Sequence, residues 1–461
     1  MSVFDNSYAR LPERFYTKLS PMPVREPELR AWNDDLAAEM GLPGWDDEEK
    51  ARIFGGNSVP DGADPLAALY AGHQFGSWNP QLGDGRAILL GEVTAGARRY
   101  DIQLKGSGPT PYSRMGDGRN WVGPALREYL VSEAMHALGI PTTRALALVT
   151  TGETVVRERP LPGAVVTRVA SSHIRVGTFQ VFAARQDEEA LATLLDHVIA
   201  RHYPGASGPA DMLEAAVARQ ADLVARWMAV GFIHGVMNTD NAHIAGETID
   251  YGPCAFMDGY SPSRVFSSID HGGRYAYSNQ ANIAAWNMAQ LATALLPLMP
   301  DRDAAIESFT EIVNSFAPAY QRAWRHAFGA KLGLRDLDDD GVTLVTDLLS
   351  MMADQEADFT NTFRALSKDA ASTIKHDKYA SWHAKWHAMR PDIALMKSSN
   401  PAIIPRNHLV EEAIQSAVYD DFGPFHALQQ ALAAPYEAPT EGRFSHPPQP
   451  GEEVTQTFCG T

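Results

Sequence analysis

The chain has 461 residues, 45% apolar and 21% charged, the composition of a globular protein large enough for two or three domains or one two-lobed unit rather than of a disordered one. Its net charge of −17 argues against a nucleic-acid partner, because such binding rests on Lys and Arg neutralising phosphates, yet it leaves room for a small phosphate ligand in a locally basic cleft. Two cysteines, Cys254 and Cys459, build neither a disulfide scaffold nor a four-thiolate metal site.

In chain order, residues 26–40 place Leu29, Trp32, Leu36 and Met40 on one helical face, with Gly41 suited to the position after the last turn, so a helix is expected there. Residues 55–64 are a loop of turn formers. Strands are expected from Gly72 onward. Residues 87–93 are apolar, 94–97 form a hairpin turn, and 99–105 alternate, Tyr100, Ile102 and Leu104 against Asp101, Gln103 and Lys105. Ahead of this hairpin, residues 81–86 (QLGDGR) offer two glycines, Gly83 and Gly85, that let backbone amides approach a ligand beside Arg86. A second such loop, residues 115–119 (MGDGR) with Asp117 and Gly118, follows Lys105.

A helix is expected over residues 124–138, with Pro124 in its first turn, Gly139 after its end, and Glu128 roughly opposite the face of Leu126, Leu130, Ala134 and Ala137. Strands over 145–150 and 164–170 follow, the second carrying Arg168, with Arg175 in the segment beyond. Downstream the chain reads as helical. Leu213, Val217, Leu223, Val224, Trp227 and Met228 recur at helical spacing, and residues 280–299, 342–366, 382–389 and 408–418 are further helices. Residues 400–407 are a Pro-punctuated loop, and the tail from 435 lacks a core pattern and reads as extended. A strand-rich first half and a helical second half imply an α+β chain of two lobes with a cleft between them. The expected division is an extension over 1–65, a strand-rich lobe over 66–175, a helical lobe over 176–434 and a tail over 435–461. No basic stretch leading into an apolar run opens the sequence, and no run of about 18 apolar residues occurs. A cytoplasmic protein without nucleic-acid or membrane partners is expected, as a monomer.

Lys105 on a strand and Glu128 on the next helix match the ion pair that fixes a lysine near phosphates. Alone, such a pair reads better as a surface lysine and a solvated glutamate; the Gly-rich loops on both sides of the strand weaken that reading. Arg168 and Arg175 fall where the cleft would run and suit phosphate forks. Residues 231–252, GFIHGVMNTDNAHIAGETIDYG, gather Asp240, Asn241 and Asp250, oxygen donors of the kind a hard cation requires. Asp250-Tyr251-Gly252 reads like the Asp-Phe-Gly of protein kinases. These acids are also ordinary turn formers, and they converge only if residues 246–250 fold back against the Asp240 loop. His234 reads as a core histidine.

With these residues in place, the sequence resembles the selenoprotein O family of kinase-like proteins. The segments that carry the resemblance are FDNSYARLPERFYT, YAGHQFGSWNPQLGDGRAILLGE, DIQLKGSGPTPYSRMGDGR, REYLVSEAMHALGIPTTRALALV, GFIHGVMNTDNAHIAGETIDYGPCAFMD and NPAIIPRNHLVEEAI, spread from residue 4 to about 414. The resemblance implies a bilobal protein-kinase-like fold that transfers AMP from ATP to Ser, Thr or Tyr hydroxyls of protein substrates, with ATP inverted so that its α-phosphate meets the acceptor. The nucleotide contacts it implies are Gly83, Gly85, Arg86, Lys105, Asp117, Gly118, Arg168 and Arg175, with Glu128 orienting Lys105. Asn241 and Asp250 would hold Mg²⁺ or Mn²⁺, and Asp240 would be the general base. Two departures stand out. The family usually follows Gly-Arg with Ala-Val-Leu-Arg-Ser-Ser, where this chain has Asn120-Trp-Val-Gly-Pro-Ala125, and it often ends Cys-Ser-Ser or carries selenocysteine, where this chain ends Cys459-Gly-Thr461. A disulfide between Cys254 and Cys459, tying the tail beside the metal loop, is a further expectation. The rival readings are a conventional kinase, against which the missing His-Arg-Asp order speaks, and a catalytically inactive nucleotide-binding scaffold.

Overall fold

The computed structural model describes residues 3–335, 337–368, 374–438 and 440–458. An eight-stranded antiparallel sheet organises the first part of the chain. Its order is Tyr16–Lys18, Leu66–Ala68, Ala87–Ala95, Arg98–Lys105, Pro160–Ala170, Arg144–Val156 and Glu28–Trp32, with the short Asn120–Trp121 paired onto Pro160–Ala170. The alternation over Arg98–Lys105 is real, but from Asp101 to Lys105 neither face is solvated. Ile102 and Leu104 pack with Leu36, Phe54, Leu90 and Val149, while Asp101, Gln103 and Lys105 are buried as well.

The helix Val122–Ala137 lies on Arg144–Val156 and Pro160–Ala170, its Ala125, Leu126, Tyr129 and Leu130 against Leu148, Ala164 and Val166. The late helices Asn407–Val418 and Gly423–Leu432 cover it through Leu409, Val410, Ile414 and Phe425. The helices Gln280–Leu295, Arg302–Asn314 and Phe316–Lys331 pack on Pro209–Val230, whose Met212, Leu213, Ala216, Val217, Leu223, Val224 and Trp227 are buried. One apolar cluster runs from Leu66, Leu69 and Met135 through Val176 and Phe179 to Val217 and Phe232, so sheet and helices share a core. Among the described residues, no helix is long and apolar enough to cross a membrane.

Three expectations are corrected. Residues 26–40 are not one helix. Glu28–Trp32 is an edge strand on Arg144–Val156, and the helix is only Asp34–Glu39. Asn33 divides them, because its side chain accepts from the Leu36 N–H at 3.1 Å and starts a helix where the helical spacing runs straight through. Residues 342–366 form two helices, Asp339–Asp354 and Phe359–Leu366, because Asp358 caps a second start at the Asn361 N–H, 2.7 Å away. The tail is also not simply extended. It carries the 3₁₀ turn Gly442–Ser445, buries Phe444 against the Val122–Ala137 core, and bonds Thr457 Oγ1 to the Pro253 carbonyl at 2.6 Å.

Candidate active site

The stretch from Gly231 to Gly252 is bracketed by a small ribbon, Phe232–Ile233 paired with Ala255–Phe256. Gly231 starts it from a left-handed backbone, φ 71°, that glycine adopts without steric cost. The loop in between is sewn to the end of the large sheet. Val176 N–H donates to Ala242 O at 2.9 Å, Ile244 N–H to Ile174 O at 3.0 Å, and Thr143 N–H to Thr248 O at 2.9 Å. These bonds fold Asp250 back toward Asp240, the condition that convergence required.

Lys105 Nζ donates to Glu128 Oε2 at 2.6 Å and lies 3.4 Å from Asp250 Oδ1. Register explains the next member: Arg168 pairs with Gln103, two residues from Lys105. Its guanidinium reaches Gln103 Oε1 at 3.3 Å and closes ion pairs with both Glu128 and Asp250. Arg175 reaches Asp250 Oδ2 at 3.3 Å and Asp84 Oδ1 at 3.4 Å, with its guanidinium 4.5 Å from the Tyr70 ring centre. Burial opposes ionisation of Asp250, but Arg168, Lys105 and Arg175 outweigh it and hold the carboxyl well below the usual range. Burial, with Arg168 adding to it, pulls the Lys105 ammonium below its ordinary value. Asp250 is 23% exposed and Lys105, Arg168 and Arg175 only 1–8%, so the carboxylate is the open face of this network.

Asp240 contrasts with them. It is buried, its Oδ2 accepts from Gln74 Nε2 at 3.2 Å, and its Oδ1, shielded from solvent, has no side-chain partner among the described residues. Burial raises its carboxyl to about 6, against the pull of its own backbone N–H, of Gln74 and of Arg175.

A cavity of about 410 Å³ brings together Gly83, Gly85, Arg86, Lys105, Asp117, Gly118, Arg168, Arg175, Asp240 and Asp250. A larger one, about 690 Å³, is lined by Arg98, Arg99, Arg144 and Arg201. All four are already paired with Glu39, Asp5, Glu92, Glu133 or Asp101, so the smaller cavity, open at Asp250 and Asp240, is the better reactive site. Glu128 stands behind its wall. Asn241 is absent from the lining, and its Nδ2 donates to the Val236 carbonyl at 2.9 Å. Asp117 lines the cavity with its carboxylate held by Arg157 at 2.7 Å. Gly83 and Gly85 are required by chain packing. A Cβ on Gly83 would lie 2.5 Å from the Tyr112 ring, and one on Gly85 2.8 Å from the Tyr112 carbonyl. His234 is a buried scaffold residue, bonded through Nε2 to the Ile249 carbonyl at 2.8 Å. Cys254 is buried beside Val410 and Thr457; Cys459 and the proposed bridge lie outside the described residues.

Sequence reasoning missed Tyr70, Gln74, Asp84, Gln103 and Arg157. The alternation that put Lys105 on the polar face of its strand put Gln103 there too, and Asp84 sits inside the noted QLGDGR loop. Nothing local marks Gln74, Tyr70 or Arg157, which meet the site only through long-range folding.

The donor set fits a hard divalent cation. Asp250 supplies a carboxylate, Asn241 has spent only its amide N–H₂ and keeps an oxygen, and Mg²⁺ usually takes one or two protein carboxylates with phosphate and water completing its shell.

Comparison with known proteins gives the chemistry its class. The model of the family described as "Protein adenylyltransferase SelO" matches residues 2–433. The chain is 59% identical to the "Protein nucleotidyltransferase YdiU" of Jannaschia sp. (strain CCS1), over 99% of both chains. It is 58% identical to that of Ruegeria sp. (strain TM1040) and 54% to that of Rhizobium meliloti (strain 1021), again over 99% of both chains. The chain belongs to the SelO protein adenylyltransferase family and is a nucleotidyltransferase.

Proposed function

We propose that this cleft, within a two-lobed kinase-like fold, binds ATP with Mg²⁺ or Mn²⁺ and transfers AMP to Ser, Thr or Tyr hydroxyls of protein substrates. The observation that carries the reading is one cavity lined by both a cation-rich network and Asp240, a buried carboxylate whose proton affinity burial raises. Transfer requires the acceptor oxygen to bond to the α-phosphorus while the bond from that phosphorus to the pyrophosphate oxygen breaks. The O–H proton passes to the Asp240 carboxylate, a suitable base because burial has raised its proton affinity while leaving it ionised at neutral pH. Lys105, Arg168 and Arg175, with Arg86 beside them, supply the positive charge that stabilises the charge building on pyrophosphate. Glu128 holds Lys105 and Arg168 in place through buried ion pairs. A divalent cation held by Asp250 and Asn241 would neutralise phosphate oxygens when bound.

ATP labelled at the α-phosphate tests the reading. Protein should acquire label from α-labelled ATP and none from γ-labelled ATP, and Asp250→Ala should abolish it. Label arriving only from γ-labelled ATP would make the enzyme a kinase, and nucleotide binding without any labelled product would make it a scaffold.

A further inference from the structure

The hairpin formed by Gly72–Gln74 and Ser77–Asn79 runs from the cavity, where Gln74 is part of the lining, to the protein surface, where Trp78 is 41% exposed. It is fixed to the loop behind it, since His73 N–H donates to Thr239 Oγ1 at 2.7 Å and Phe75 N–H to Asn238 Oδ1 at 3.0 Å. Register sets His73 opposite Trp78, and their rings lie 4.9 Å apart. The His73 ring in turn meets Trp286, on the helix Gln280–Leu295, edge to face at 5.3 Å. Arg274 continues the row. Its guanidinium stands 4.9 Å from the Trp286 ring centre and 5.7 Å from that of Tyr275, whose ring packs on Phe75 at 5.0 Å. The turn of the hairpin lies against it, because a Cβ on Gly76 would be 3.5 Å from its Cζ.

Two observations set this row apart from ordinary packing. Arg274 is only partly buried, and among the described residues no carboxylate lies within 4 Å of its guanidinium, although the chain carries 56 acids against 39 Lys and Arg. The acid nearest to it along the chain, Asp270, is occupied by the backbone, accepting from the Arg274 and Tyr275 N–H groups at 2.9 and 2.8 Å. A guanidinium laid on aromatic faces keeps its charge and its donors for an incoming carboxylate. The second observation is Trp78, a large apolar side chain left exposed on a hairpin whose backbone is hydrogen-bonded in place. Trp and Arg are the side chains that most often carry the energy of a protein interface.

We propose that Trp78, Trp286 and Arg274 form the docking surface for the acceptor protein beside the cavity, and that it takes a segment with an acidic side chain close to the acceptor hydroxyl. Arg274 pairs with that carboxylate, and Trp78 covers the apolar part of the same segment. A basic segment would meet like charge at Arg274, so the surface rejects as well as attracts. It touches protein and no phosphate, and therefore selects which hydroxyls are presented while leaving nucleotide binding alone. The inference rests on the reading that the cleft transfers AMP to protein hydroxyls.

The test measures AMP incorporation from α-labelled ATP into intact proteins and into synthetic peptides of one length, each with a single Ser, Thr or Tyr flanked by Glu, Gln or Lys. The enzyme is the full chain, as wild type or carrying Trp78→Ala, Arg274→Lys or Arg274→Glu. The wild type should label Glu peptides with a kcat/KM about ten-fold above that for Gln peptides, the scale of one hydrogen bond to a charged group, and Lys peptides least. Arg274→Glu should reverse that order, and Arg274→Lys, which keeps the charge, should retain part of it. Trp78→Ala should raise KM for every peptide about ten-fold, as loss of an interface anchor does. All three should leave KM for ATP at the wild-type value. The order of peptides is a ratio within one preparation, so partial unfolding cannot imitate its reversal. Equal labelling of Glu and Lys peptides by the wild type, label on intact proteins but on no peptide, an acidic preference kept by Arg274→Glu, or a wild-type peptide KM in Trp78→Ala would each overturn the docking surface and leave the transfer reading standing. No label from α-labelled ATP on peptides or intact proteins would remove the transfer reading itself, and the docking surface with it.

Discussion

Two lysines are buried among the described residues, and their surroundings differ. Lys105, on the sheet, lies between Glu128 and Asp250 at the wall of an open cavity. Lys331, at the end of the helix Phe316–Lys331, has no carboxylate within 4 Å among the described residues. Its ammonium instead lies 4.2 Å from the ring centre of Phe363 and 5.3 Å from that of Phe359. Burial pulls it down to about 7. Burial alone therefore does not mark a working lysine. What distinguishes Lys105 is a set of counter-charges arranged so that one of them, Asp250, faces the cavity.

The contrast can be broken from either side. Lys105→Met should cost about 10²- to 10³-fold in AMP transfer, the usual scale for removing a preorganised charge at a developing anion. It should cost little stability, because Arg168 still neutralises Glu128 and Asp250 keeps Arg168 and Arg175; initial rates and urea midpoints measure the two. Glu128→Gln removes the carboxylate that Lys105 and Arg168 share, so it should destabilise by about 3 kcal/mol as an uncompensated buried charge. That cost should appear in urea unfolding without nucleotide.

Lys331→Met should do the reverse of Lys105→Met and raise stability while sparing transfer. The pH dependence carries the sign. Below pH 7 both folded and unfolded chains hold the Lys331 proton, and the burial cost is fully present. From about 7 to the ordinary value of 10.5 only the unfolded chain keeps it, so the wild type gains stability with rising pH. The advantage of the variant should thus be largest at or below pH 7, on the order of 1.4 kcal/mol per unit of displacement at most, and should fade toward pH 10. Equal advantages at pH 6 and pH 10 would show that the ammonium is not the source. The smallest effect belongs to Arg157→Ala. It frees the half-exposed Asp117 and should change stability by about 0.5 kcal/mol, as surface ion pairs do, with a shift in KM for ATP larger than in kcat.

The parts of the site legible in the sequence were those with a local pattern. Strand alternation gave the face of Lys105, a helix start and stop placed Glu128, and the density of Asp and Asn after Gly231 marked the loop. Asn33 and Asp358 are caps that also sit at helical spacing, so each break they cause was hidden inside a longer periodic run. Gln74 and Asp84 act through partners more than a hundred and about ninety positions away, respectively, Asp240 and Arg175, and no window along the chain brings those residues together. The polar face of Arg98–Lys105 was visible, but its burial was not, because alternation reads the same whether the polar side meets water or a cleft.

The helix that bears Glu128 is roofed by Asn407–Val418 and Gly423–Leu432, segments far downstream of it in the chain. Until they arrive, Leu126, Tyr129 and Leu130 have no cover on that side, and the helix has no fixed seat from which to hold Lys105 and Arg168. Contacts between such distant parts of a chain form late. A chain cut before residue 407 should therefore carry all of its reactive residues and yet be unable to use them, so that a segment with no part in the chemistry decides whether the site is armed.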